Sequence, residues 1–221
     1  MNKRIIFVDL DDTLIDTSYR HYKVYSDIVS DLNLKKDINK KEFWKLKRNC
    51  QSTLDILNEK DKSISKVFYE EWIKKIEQKK YLRYDELFDK SLMLLKELKN
   101  ENLILLTMRN NRFNLMWELN KLGIKNYFET ILSCSPLKNE DKTIPVKEYL
   151  KKREIVLDKK SLIIGDSETD INTGKQLKII TVAVNYGIRS KKNLISLKPD
   201  FCLNNIDEIS KIVSNLNKEC I

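Results

Sequence analysis

The chain has 221 residues, of which 41% are hydrophobic and 34% are charged, with a formal net charge of +9 at pH 7. This composition is typical of a globular protein with a sizeable core and excludes an intrinsically disordered chain. No apolar run approaches the length that spans a bilayer, and the first residues lead into a strand-like run without a small-residue cleavage site. We therefore expect neither a membrane span nor a signal peptide.

Cysteine and histidine usage narrows the chemistry further. The four cysteines, Cys50, Cys134, Cys202 and Cys220, form no Cys-x-x-Cys pair, and His21 is the single histidine. This pattern excludes a zinc site built on cysteine pairs, a histidine-based metal site and a histidine-based catalytic triad. Reduced thiols are typical of cytoplasmic proteins, so we predict a cytoplasmic location. His21 is expected on a helix surface, without a role.

The first predicted strand ends in acidic residues. A short apolar run from Ile5 to Val8 is followed by Asp9 and Asp11. The pattern predicts a buried strand that opens into a polar site, and its period of two places both carboxylates on one face. Two carboxylates about 4 Å apart repel by about 4 kcal/mol at an effective dielectric constant near 20, so they need a cation, a proton or a partner. The alternative is an acidic turn that caps the following helix.

Residues 17–84 carry most of the positive charge. They contain 17 Lys plus Arg against 10 Asp plus Glu, a net of +7, whereas the rest of the chain has 25 against 23, a net of +2. Apolar residues recur at helical spacing without strand-like alternation, which predicts an all-helical insert with an aromatic helix–helix core. The basic surface either attracts anionic substrates or is a set of solvated helix faces. No recognised nucleic-acid-binding motif accompanies the lysines, so nucleic acid is not an expected partner.

Strands and helices alternate in the rest of the chain. Strands are predicted over residues 5–8, 103–106, 129–133, 161–164, 179–184 and 200–203. Helices are predicted over residues 85–99, 110–122, 142–152, 168–177 and 206–216, with Gly123 ending the second of them. This alternation predicts an α/β fold with a Rossmann-like parallel sheet flanked by helices, and the all-helical insert follows its first strand. We expect residues 1–16 and 85–221 to form the core and residues 17–84 a second domain.

Polar residues directly follow two further strands. Thr107 ends the second predicted strand, and Asp166 follows the fourth. Ligands bind beyond the carboxyl ends of parallel strands, so we expect these residues to gather at one site with Asp9 and Asp11.

Four short motifs occur in a fixed order along the chain. They are Asp9-x-Asp11-x-Thr13, Thr107 at a strand end, Lys142 before a helix, and Gly165-Asp166-x-x-x-Asp170. This ordered set resembles the haloacid dehalogenase-like superfamily over the whole chain, with residues 17–84 where that family places a helical cap. The stretch from Ile179 to Asp200 is also similar to the phosphoglycolate phosphatase-like branch of the family.

The chemistry of these residue types assigns candidate roles. A carboxylate is a competent nucleophile for phosphoryl transfer, so Asp9 is the candidate nucleophile and Asp11 the candidate acid and base. Thr107 offers a hydroxyl, and Lys142 a positive charge, to the transferred phosphoryl group. Several carboxylates at one edge favour a hard cation with oxygen ligands, so Mg²⁺ is the expected cofactor.

The resemblance implies the ligands of that metal. The side chains of Asp9 and Asp166 would bind Mg²⁺ together with the backbone carbonyl of Asp11. Asp170 would lie beside the metal and orient its waters or Lys142.

Two positions near the motifs leave alternatives open. The third motif reads Lys142-Thr-Ile-Pro145, where the family often has Lys-Pro-x-Pro, so Lys138 is an alternative lysine. Arg109, two residues after Thr107, is either a substrate contact or a surface contact, and it is left out of the catalytic set.

The leading prediction is a hydrolase, a Mg²⁺-dependent phosphatase whose partner is a small phosphorylated metabolite. A haloacid dehalogenase requires neither Mg²⁺ nor an acid at the position of Asp11, so Asp11 favours phosphoryl transfer. A phosphosugar mutase keeps both carboxylates and a helical cap, and it is an alternative, as is a non-catalytic phosphate-binding regulatory module. By charge alone, Lys45, Lys47 and Arg48 are candidates for contacts to the substrate.

Overall fold

The strands are short, and most belong to one sheet. A computed structural model describes residues 2–35, 38–135, 137 and 141–218. The strands of these residues are β1 (Asn2–Lys3), β2 (Ile6–Val8), β3 (Ile15–Asp16), β4 (Glu86–Leu87), β5 (Leu103–Thr107), β6 (Thr130–Ser133), β7 (Val156–Leu157), β8 (Leu162–Gly165), β9 (Ile180–Val184) and β10 (Phe201–Leu203).

Helices fill most of the sequence between the strands. The α-helices of the described residues are α1 (Ser18–Asp31), α2 (Lys40–Arg48), α3 (Thr53–Leu57), α4 (Lys62–Ile76), α5 (Lys79–Leu82), α6 (Ser91–Glu97), α7 (Arg112–Lys121), α8 (Thr143–Arg153), α9 (Glu168–Leu177), α10 (Lys191–Ser196) and α11 (Asp207–Lys218). A 3₁₀ turn covers Lys125–Tyr127. In the described part of the chain, none of these helices is both long and apolar enough to cross a membrane.

The central sheet has six parallel strands in the order β10-β9-β8-β2-β5-β6. Strand β2 lies between β8 and β5, where Val8 is opposite Ile164 on one side and Leu105 on the other. Every residue of β2, β5 and β8 is buried, as expected of parallel strands that are covered on both faces. The predicted α/β fold with a Rossmann-like parallel sheet flanked by helices is therefore confirmed.

Alternate strand residues supply the two layers of the core. Val8 and Leu105 pack into a cluster with residues of α6, α7 and α11. Phe7 and Ile104 pack on the other face, against Val146 of α8. Since the two faces are both apolar, polar side chains collect at the carboxyl ends of the strands, which is the sheet edge that the sequence predicted for a site.

Helices α1 to α5 form the insert between β3 and β4. The two strands pair antiparallel, with Ile15 opposite Leu87 and Asp16 opposite Glu86, so the chain leaves and re-enters the core at one place. Tyr25 lies at the centre of the insert, with its ring centroid 5.0 Å from that of Phe43 and 5.9 Å from that of Phe68. The aromatic residues of the insert therefore pack as a helix–helix core.

One predicted element was wrong. Residues 85–99 were expected to form one helix, but Glu86–Leu87 is strand β4 and helix α6 begins only at Ser91. The break lies at Lys90, whose φ of +70° is left-handed and cannot continue a helix. The pairing of β4 with β3 takes the place of the first helical turn. Helix α7, by contrast, ends as predicted before Gly123, which also has a φ of +70°.

The structure also contains elements that the sequence did not predict. Strands β1 and β7 form a separate two-stranded parallel pair, and α10 precedes β10. Elements of two to six residues are too short to show a periodic apolar pattern, so they escaped the sequence analysis.

Candidate active site

Asp9 lies directly beyond β2, at the centre of the sheet edge. Its backbone N–H donates to the carbonyl of Ile164 at 2.9 Å, which extends the pairing of β2 with β8 by one residue. Its carboxylate is 2.7 Å from Lys142 Nζ, and the residue is only 6% exposed. The backbone of the sheet thus fixes Asp9, and Lys142 orients its side chain.

Two further carboxylates reach Asp9 from the end of β8 and the start of α9. One carboxylate oxygen each of Asp9, Asp166 and Asp170 lie within 4.8 Å of one another, and all three residues are buried. Asp166 accepts hydrogen bonds from Thr13 Oγ1 and from the backbone N–H of Ile188. We call Asp9, Asp166, Asp170 and Lys142 the acidic cluster.

Glycines make room for the acidic cluster. A Cβ at Gly165 would overlap the carboxylate of Asp170, and a Cβ at Gly187 would overlap the carboxylate of Asp166. Only glycine fits at these two positions, because the carboxylates lie too close to the backbone to leave room for a Cβ.

Lys142 is the one lysine among the described residues that lines the cavity above the sheet edge. Its Nζ lies between Asp9 at 2.7 Å and Asp170 at 2.6 Å. Burial by itself lowers the pKa of Lys142, but the two carboxylates outweigh it and hold that pKa above its ordinary value. The alternative, Lys138, lies outside the described residues.

The electrostatics of the acidic cluster fit a divalent cation. Burial raises the pKa of Asp9 to about 8, despite the attraction of Lys142, and burial raises the pKa of Asp166 well above its ordinary value. Buried carboxylates with raised pKa values are stabilised in their ionised form by a nearby positive charge. All the donors are carboxylate oxygens, which suits Mg²⁺ rather than a softer metal. The residues present therefore fit the expected cofactor.

The side chain of Asp11 turns away from the acidic cluster. Its carboxylate accepts two hydrogen bonds from Arg109, from Nε and Nη2, both at 2.6 Å, and one from Arg20 Nη2 at 2.7 Å. Burial alone would raise the pKa of Asp11, but Arg109 and Arg20 hold it well below its usual value. Of the four predicted metal-binding residues, Asp11 is thus the one whose side chain lies outside the acidic cluster and pairs with arginines.

Two more carboxylates complete the surroundings of the arginines. Arg109 Nη2 donates to Glu118 Oε2 at 3.0 Å, and Arg20 Nη1 lies 3.2 Å from Asp85 Oδ2. We call Arg20, Arg109, Asp11, Asp85 and Glu118 the arginine cluster. It joins α1 of the insert to the end of β5 and to α7 of the core.

Sequence reasoning missed both arginines. Arg109 was left undecided between substrate and surface, but it is 4% exposed and forms an ion pair with Asp11. The rule that strand ends converge would have reached it, because it lies two residues beyond the end of β5. Arg20 is 1% exposed and lies on the insert, where no pattern distinguished it from the other basic residues.

Thr107 ends β5 beside the acidic cluster and lines the same cavity as Asp9. Its Oγ1 is buried and has no hydrogen-bond partner among the described residues. A buried hydroxyl without a partner is rare, so this one is available to an anion in the cavity. Thr107, Asp9, Asp11 and Asp166 therefore line one cavity, as the strand-end rule predicted.

The expectation for His21 was wrong. It lies in the wall of the cavity rather than on the outer surface, and its ring stands edge-on to Trp44 and Trp72 at centroid distances of 6.1 and 5.6 Å. Burial, supported by the nearby charge of Arg20, lowers the pKa of His21 well below its ordinary value, so the ring is neutral at pH 7. Packing of α1 against α2 and α4 turns this face of the helix inward.

Helix α4 of the insert roofs the cavity, whose volume is about 290 Å³. Trp72, Ile73 and Ile76 supply the apolar lining opposite the carboxylates. At the end of α4, the carboxylate of Glu77 accepts hydrogen bonds from the backbone N–H groups of Asn110 at 2.9 Å and Asn111 at 2.7 Å. The insert is thereby fastened to the core at the start of α7.

The three basic residues proposed by charge for substrate contacts do not line this cavity. Arg48 instead donates to backbone carbonyls of the core, at 2.6 Å to Asn185 and 3.0 Å to Tyr186. Lys47 donates to Thr53 Oγ1 at 3.3 Å, and Lys45 is exposed. Arg48 thus makes a second hydrogen-bonded contact between the insert and the core.

The loop between Asp9 and the insert is held by Asp12. This residue has a left-handed φ of +57°, which Asp tolerates better than most residues. Its carboxylate accepts hydrogen bonds from the backbone N–H of Thr17 at 3.0 Å and from Thr17 Oγ1 at 2.8 Å. The turn after the candidate nucleophile is therefore tied to the start of the insert.

Comparison with protein-family models identifies one family. The model for haloacid dehalogenase-like hydrolases matches residues 5–184. Among curated proteins, a pyrophosphatase PpaX from Oceanobacillus iheyensis is 26% identical over 220 residues, covering 97% of this chain and 99% of that protein. A phosphoglycolate phosphatase from Synechococcus elongatus is 24% identical over 135 residues, covering 61% of this chain and 62% of that protein.

Solved structures show the same fold. A haloacid dehalogenase-like family hydrolase from Streptococcus pneumoniae has a TM-score of 0.77 at 20% identity, covering 94% of this chain and 96% of that chain. A predicted phosphatase from Clostridium acetobutylicum has a TM-score of 0.77 at 19% identity, covering 97% of this chain and 100% of that chain.

Proposed function

The chain belongs to the haloacid dehalogenase-like hydrolase family, and on that premise we propose that it is a Mg²⁺-dependent phosphatase that hydrolyses a small phosphomonoester through an aspartyl-phosphate. The observation that carries the proposal is the acidic cluster at the sheet edge, where Lys142 holds Asp9 beside Asp166 and Asp170. Relatives named phosphoglycolate phosphatase and pyrophosphatase PpaX support hydrolysis of a small phosphorylated compound.

The proposed reaction has two steps. A carboxylate oxygen of Asp9 attacks phosphorus, and the bond from phosphorus to the leaving-group oxygen breaks. Asp11 would give that oxygen a proton, which requires that its carboxyl first leaves Arg109 and Arg20 and becomes protonated. Water then attacks the phosphorus of the aspartyl-phosphate and gives a proton to Asp11, which releases inorganic phosphate and restores Asp9. Both carboxylates line the cavity in which the phosphoryl group would lie.

The remaining residues would stabilise charge. Mg²⁺ would be held by the side chains of Asp9 and Asp166 and the backbone carbonyl of Asp11, with Asp170 beside it, and it would neutralise the phosphoryl oxygens. Lys142 keeps Asp9 oriented and would meet a phosphoryl oxygen. The free hydroxyl of Thr107 would donate to another.

We further propose that the insert, residues 17–84, acts as a cap over a core made of residues 1–16 and 85–221. The apolar roof from α4 would exclude water from the reaction, and the paired strands β3 and β4 would be the hinge. The cytoplasmic location stays a prediction from the cysteine pattern.

The test is an assay of phosphate release from p-nitrophenyl phosphate and a panel of phosphoglycolate, nucleotides and sugar phosphates, with Mg²⁺ and with chelator. We expect Mg²⁺-dependent release by the wild type, none by Asp9→Asn, and unchanged activity in the matched control Asp89→Asn, an exposed residue. Inactivity across the panel, or full activity of Asp9→Asn, would contradict the proposal.

The same panel separates the alternatives. A phosphosugar mutase would return an isomeric sugar phosphate in place of inorganic phosphate. A non-catalytic module would bind phosphate or a beryllium fluoride analogue on Asp9 without turnover.

A further inference from the structure

Arg48 of the insert holds the loop of the core that follows β9. Its guanidinium donates to three successive backbone carbonyls, those of Asn185 at 2.6 Å, Tyr186 at 3.0 Å and Gly187. A guanidinium is a rigid, planar fork of N–H donors, so carbonyls that converge on it have their directions fixed. Arg48 therefore determines how the peptide groups of this loop are oriented.

The last of these peptide groups also contacts the acidic cluster. Gly187 and Ile188 share one peptide group, whose carbonyl accepts a hydrogen bond from Arg48. The N–H of the same group donates to the carboxylate of Asp166. Because the carbonyl and the N–H of a trans peptide group point in opposite directions, this single group lies between the arginine and the carboxylate.

Hydrogen bonds on the two sides of one peptide group strengthen each other. A positive charge at the carbonyl oxygen polarises the group and makes its N–H a better donor, by about 10–30% per bond. Carboxylates that bind metals are themselves held by hydrogen bonds, and the loss of such an outer partner weakens metal binding. The bond between Arg48 and Gly187 therefore strengthens the bond that orients Asp166.

The loop also lies too close to the acidic cluster to move independently of it. A Cβ at Gly187 would lie 2.3 Å from an oxygen of Asp166 and 2.3 Å from the carbonyl oxygen of Asp12. The hydroxyl of Tyr186 donates to the carbonyl of Thr13 at 2.9 Å, and Thr13 Oγ1 donates to the other oxygen of Asp166 at 3.3 Å. A shift of the loop would therefore change the hydrogen bonds of both oxygens of Asp166.

Resting on the proposed Mg²⁺-dependent phosphatase, we propose that Arg48 is a positioning residue for the metal. It does not line the cavity, and it acts on the candidate metal ligand Asp166 through the peptide group of Gly187 and Ile188. Coupling between two sites is reciprocal, so Mg²⁺ at the acidic cluster in turn strengthens the contact between Arg48 and the core. One side chain thus links the placement of the insert to metal affinity.

A purely structural role makes a different prediction. Glu77 also fastens the insert to the core, but it does so at the start of α7, on another loop. If Arg48 only fastened the insert, Arg48→Gln and Glu77→Gln would change Mg²⁺ affinity alike. If Arg48 positions Asp166, Arg48→Gln weakens Mg²⁺ binding and Glu77→Gln does not.

The experiment measures the Kd of Mg²⁺ by calorimetry on the full chain without substrate. We expect Arg48→Gln to raise this Kd about tenfold, the lower end of the effect of outer partners of metal ligands. Arg48→Lys, which keeps the charge but not the fork, should raise it less. Glu77→Gln and Arg83→Gln, an exposed arginine of the insert, should keep the wild-type Kd.

Kinetics should show the same separation. With p-nitrophenyl phosphate as substrate, Arg48→Gln should raise the Mg²⁺ concentration that gives half-maximal activity by about the same tenfold factor. Its kcat at saturating Mg²⁺ should equal that of the wild type, because Arg48 does not contact the reacting groups. A general loosening of the protein would not produce this split.

Hydrogen exchange tests the proposal without a variant. Ser190 N–H donates to the carbonyl of Arg48 at 3.0 Å, and Ile188 N–H donates to Asp166. Saturating Mg²⁺ should slow exchange at both of these amides in the wild type. The two amides bonded to Glu77 should exchange at an unchanged rate.

A wild-type Kd in Arg48→Gln overturns the inference, as does equal weakening of Mg²⁺ binding in Glu77→Gln. If Arg48→Gln does not fold, the wild type decides. Unchanged exchange at Ser190 and Ile188 then overturns the inference, and so does equal slowing at the amides bonded to Glu77, which would indicate closure of the whole insert. In each case, Mg²⁺-dependent phosphate release by the wild type leaves the proposed phosphatase standing. A wild type that neither binds Mg²⁺ nor releases phosphate would remove both proposals.

Discussion

Asp9 and Asp11 are two residues apart, yet they belong to two buried clusters of opposite electrostatic character. In the acidic cluster, burial raises the pKa of Asp9 to about 8 with Lys142 as its cation. In the arginine cluster, Arg109 and Arg20 outweigh burial and hold the pKa of Asp11 well below its usual value. The same residue type thus acquires opposite proton affinity because different elements supply its partners.

The two clusters also differ in the parts of the chain that build them. The acidic cluster comes from the ends of β2 and β8 and from the starts of α8 and α9, all within the core. The arginine cluster joins α1 of the insert to the core through Arg20. A movement of the insert would therefore change the partners of Asp11 while leaving those of Asp9 in place.

The largest predicted effect tests the separate roles of the two aspartates. Asp11→Asn should lower kcat on ethyl phosphate by about 10² to 10⁴-fold, the usual contribution of an acid–base group. The loss should be smaller for the first step with p-nitrophenyl phosphate, because nitrophenolate departs without a proton. Rapid-mixing measurement of the nitrophenolate burst and of steady-state phosphate release checks this. An equal loss in both steps and on both substrates would contradict the assignment of Asp11.

The second prediction is that amide substitutions act with opposite sign in the two clusters. Glu118→Gln removes one of the charged partners of buried Arg109 and should lower the free energy of unfolding by about 3 kcal/mol. Asp166→Asn removes one of several crowded carboxylates and should raise the free energy of unfolding of the metal-free protein by about 1 kcal/mol. Urea unfolding of both variants, with exposed Glu97→Gln as the control, measures the difference. If the free energy of unfolding changed in the same direction in both variants, the proposed electrostatic difference between the two clusters would be wrong.

The third prediction concerns pH and metal. The folded pKa of Asp9 is about 8, above its ordinary value of 3.8, so the folded protein keeps a proton that the unfolded chain releases. The contribution of this group to stability is full below about pH 4 and is lost as pH rises to about 8. Mg²⁺ would replace the proton, so one fixed Mg²⁺ concentration should raise Tm more at pH 8.5 than at pH 6. At pH 8.5 it should raise the free energy of unfolding by about 2–3 kcal/mol where that concentration is 100 times Kd. Equal shifts at the two pH values would count against the acidic cluster as the metal site.

The smallest predicted effect concerns the roof. Glu77→Gln weakens the hydrogen bonds from the backbone N–H groups of Asn110 and Asn111. It should lower the free energy of unfolding by about 1 kcal/mol. Hydrogen exchange at these two amides should speed up, whereas exposed Glu70→Gln should leave it unchanged. Unchanged exchange in Glu77→Gln would show that the bonds do not fasten the insert.

The sequence predicted the acidic side of the site better than the arginine side, for a physical reason. Asp9, Thr107 and Asp166 lie at ends of parallel strands, and the topology of the sheet alone brings such positions together. Arg20 is positioned by packing within the insert, which depends on helix contacts that no short pattern encodes. His21 was misplaced for the same reason, because its helix face is set by Trp44 and Trp72.

The fold was predictable where elements were long enough to be periodic. All six strands of the central sheet were located to within about two residues, and α9 was located at Glu168–Leu177. The helix expected over residues 85–99 failed because a two-residue strand, Glu86–Leu87, is decided by its partner Ile15–Asp16 and not by its own composition.

The hydrogen bonds from Thr17 to Asp12 limit where the insert could be replaced by another. The carboxylate of Asp12, in a left-handed turn, accepts hydrogen bonds from both the backbone N–H and the hydroxyl of Thr17. An insert from another protein that begins at residue 17 would therefore have to supply both donors. A replacement insert that begins after Thr17 keeps these hydrogen bonds. A replacement that removes Thr17 leaves the buried carboxylate of Asp12 without its two donors. The boundary at which the insert of this chain can be exchanged therefore lies between Thr17 and Ser18.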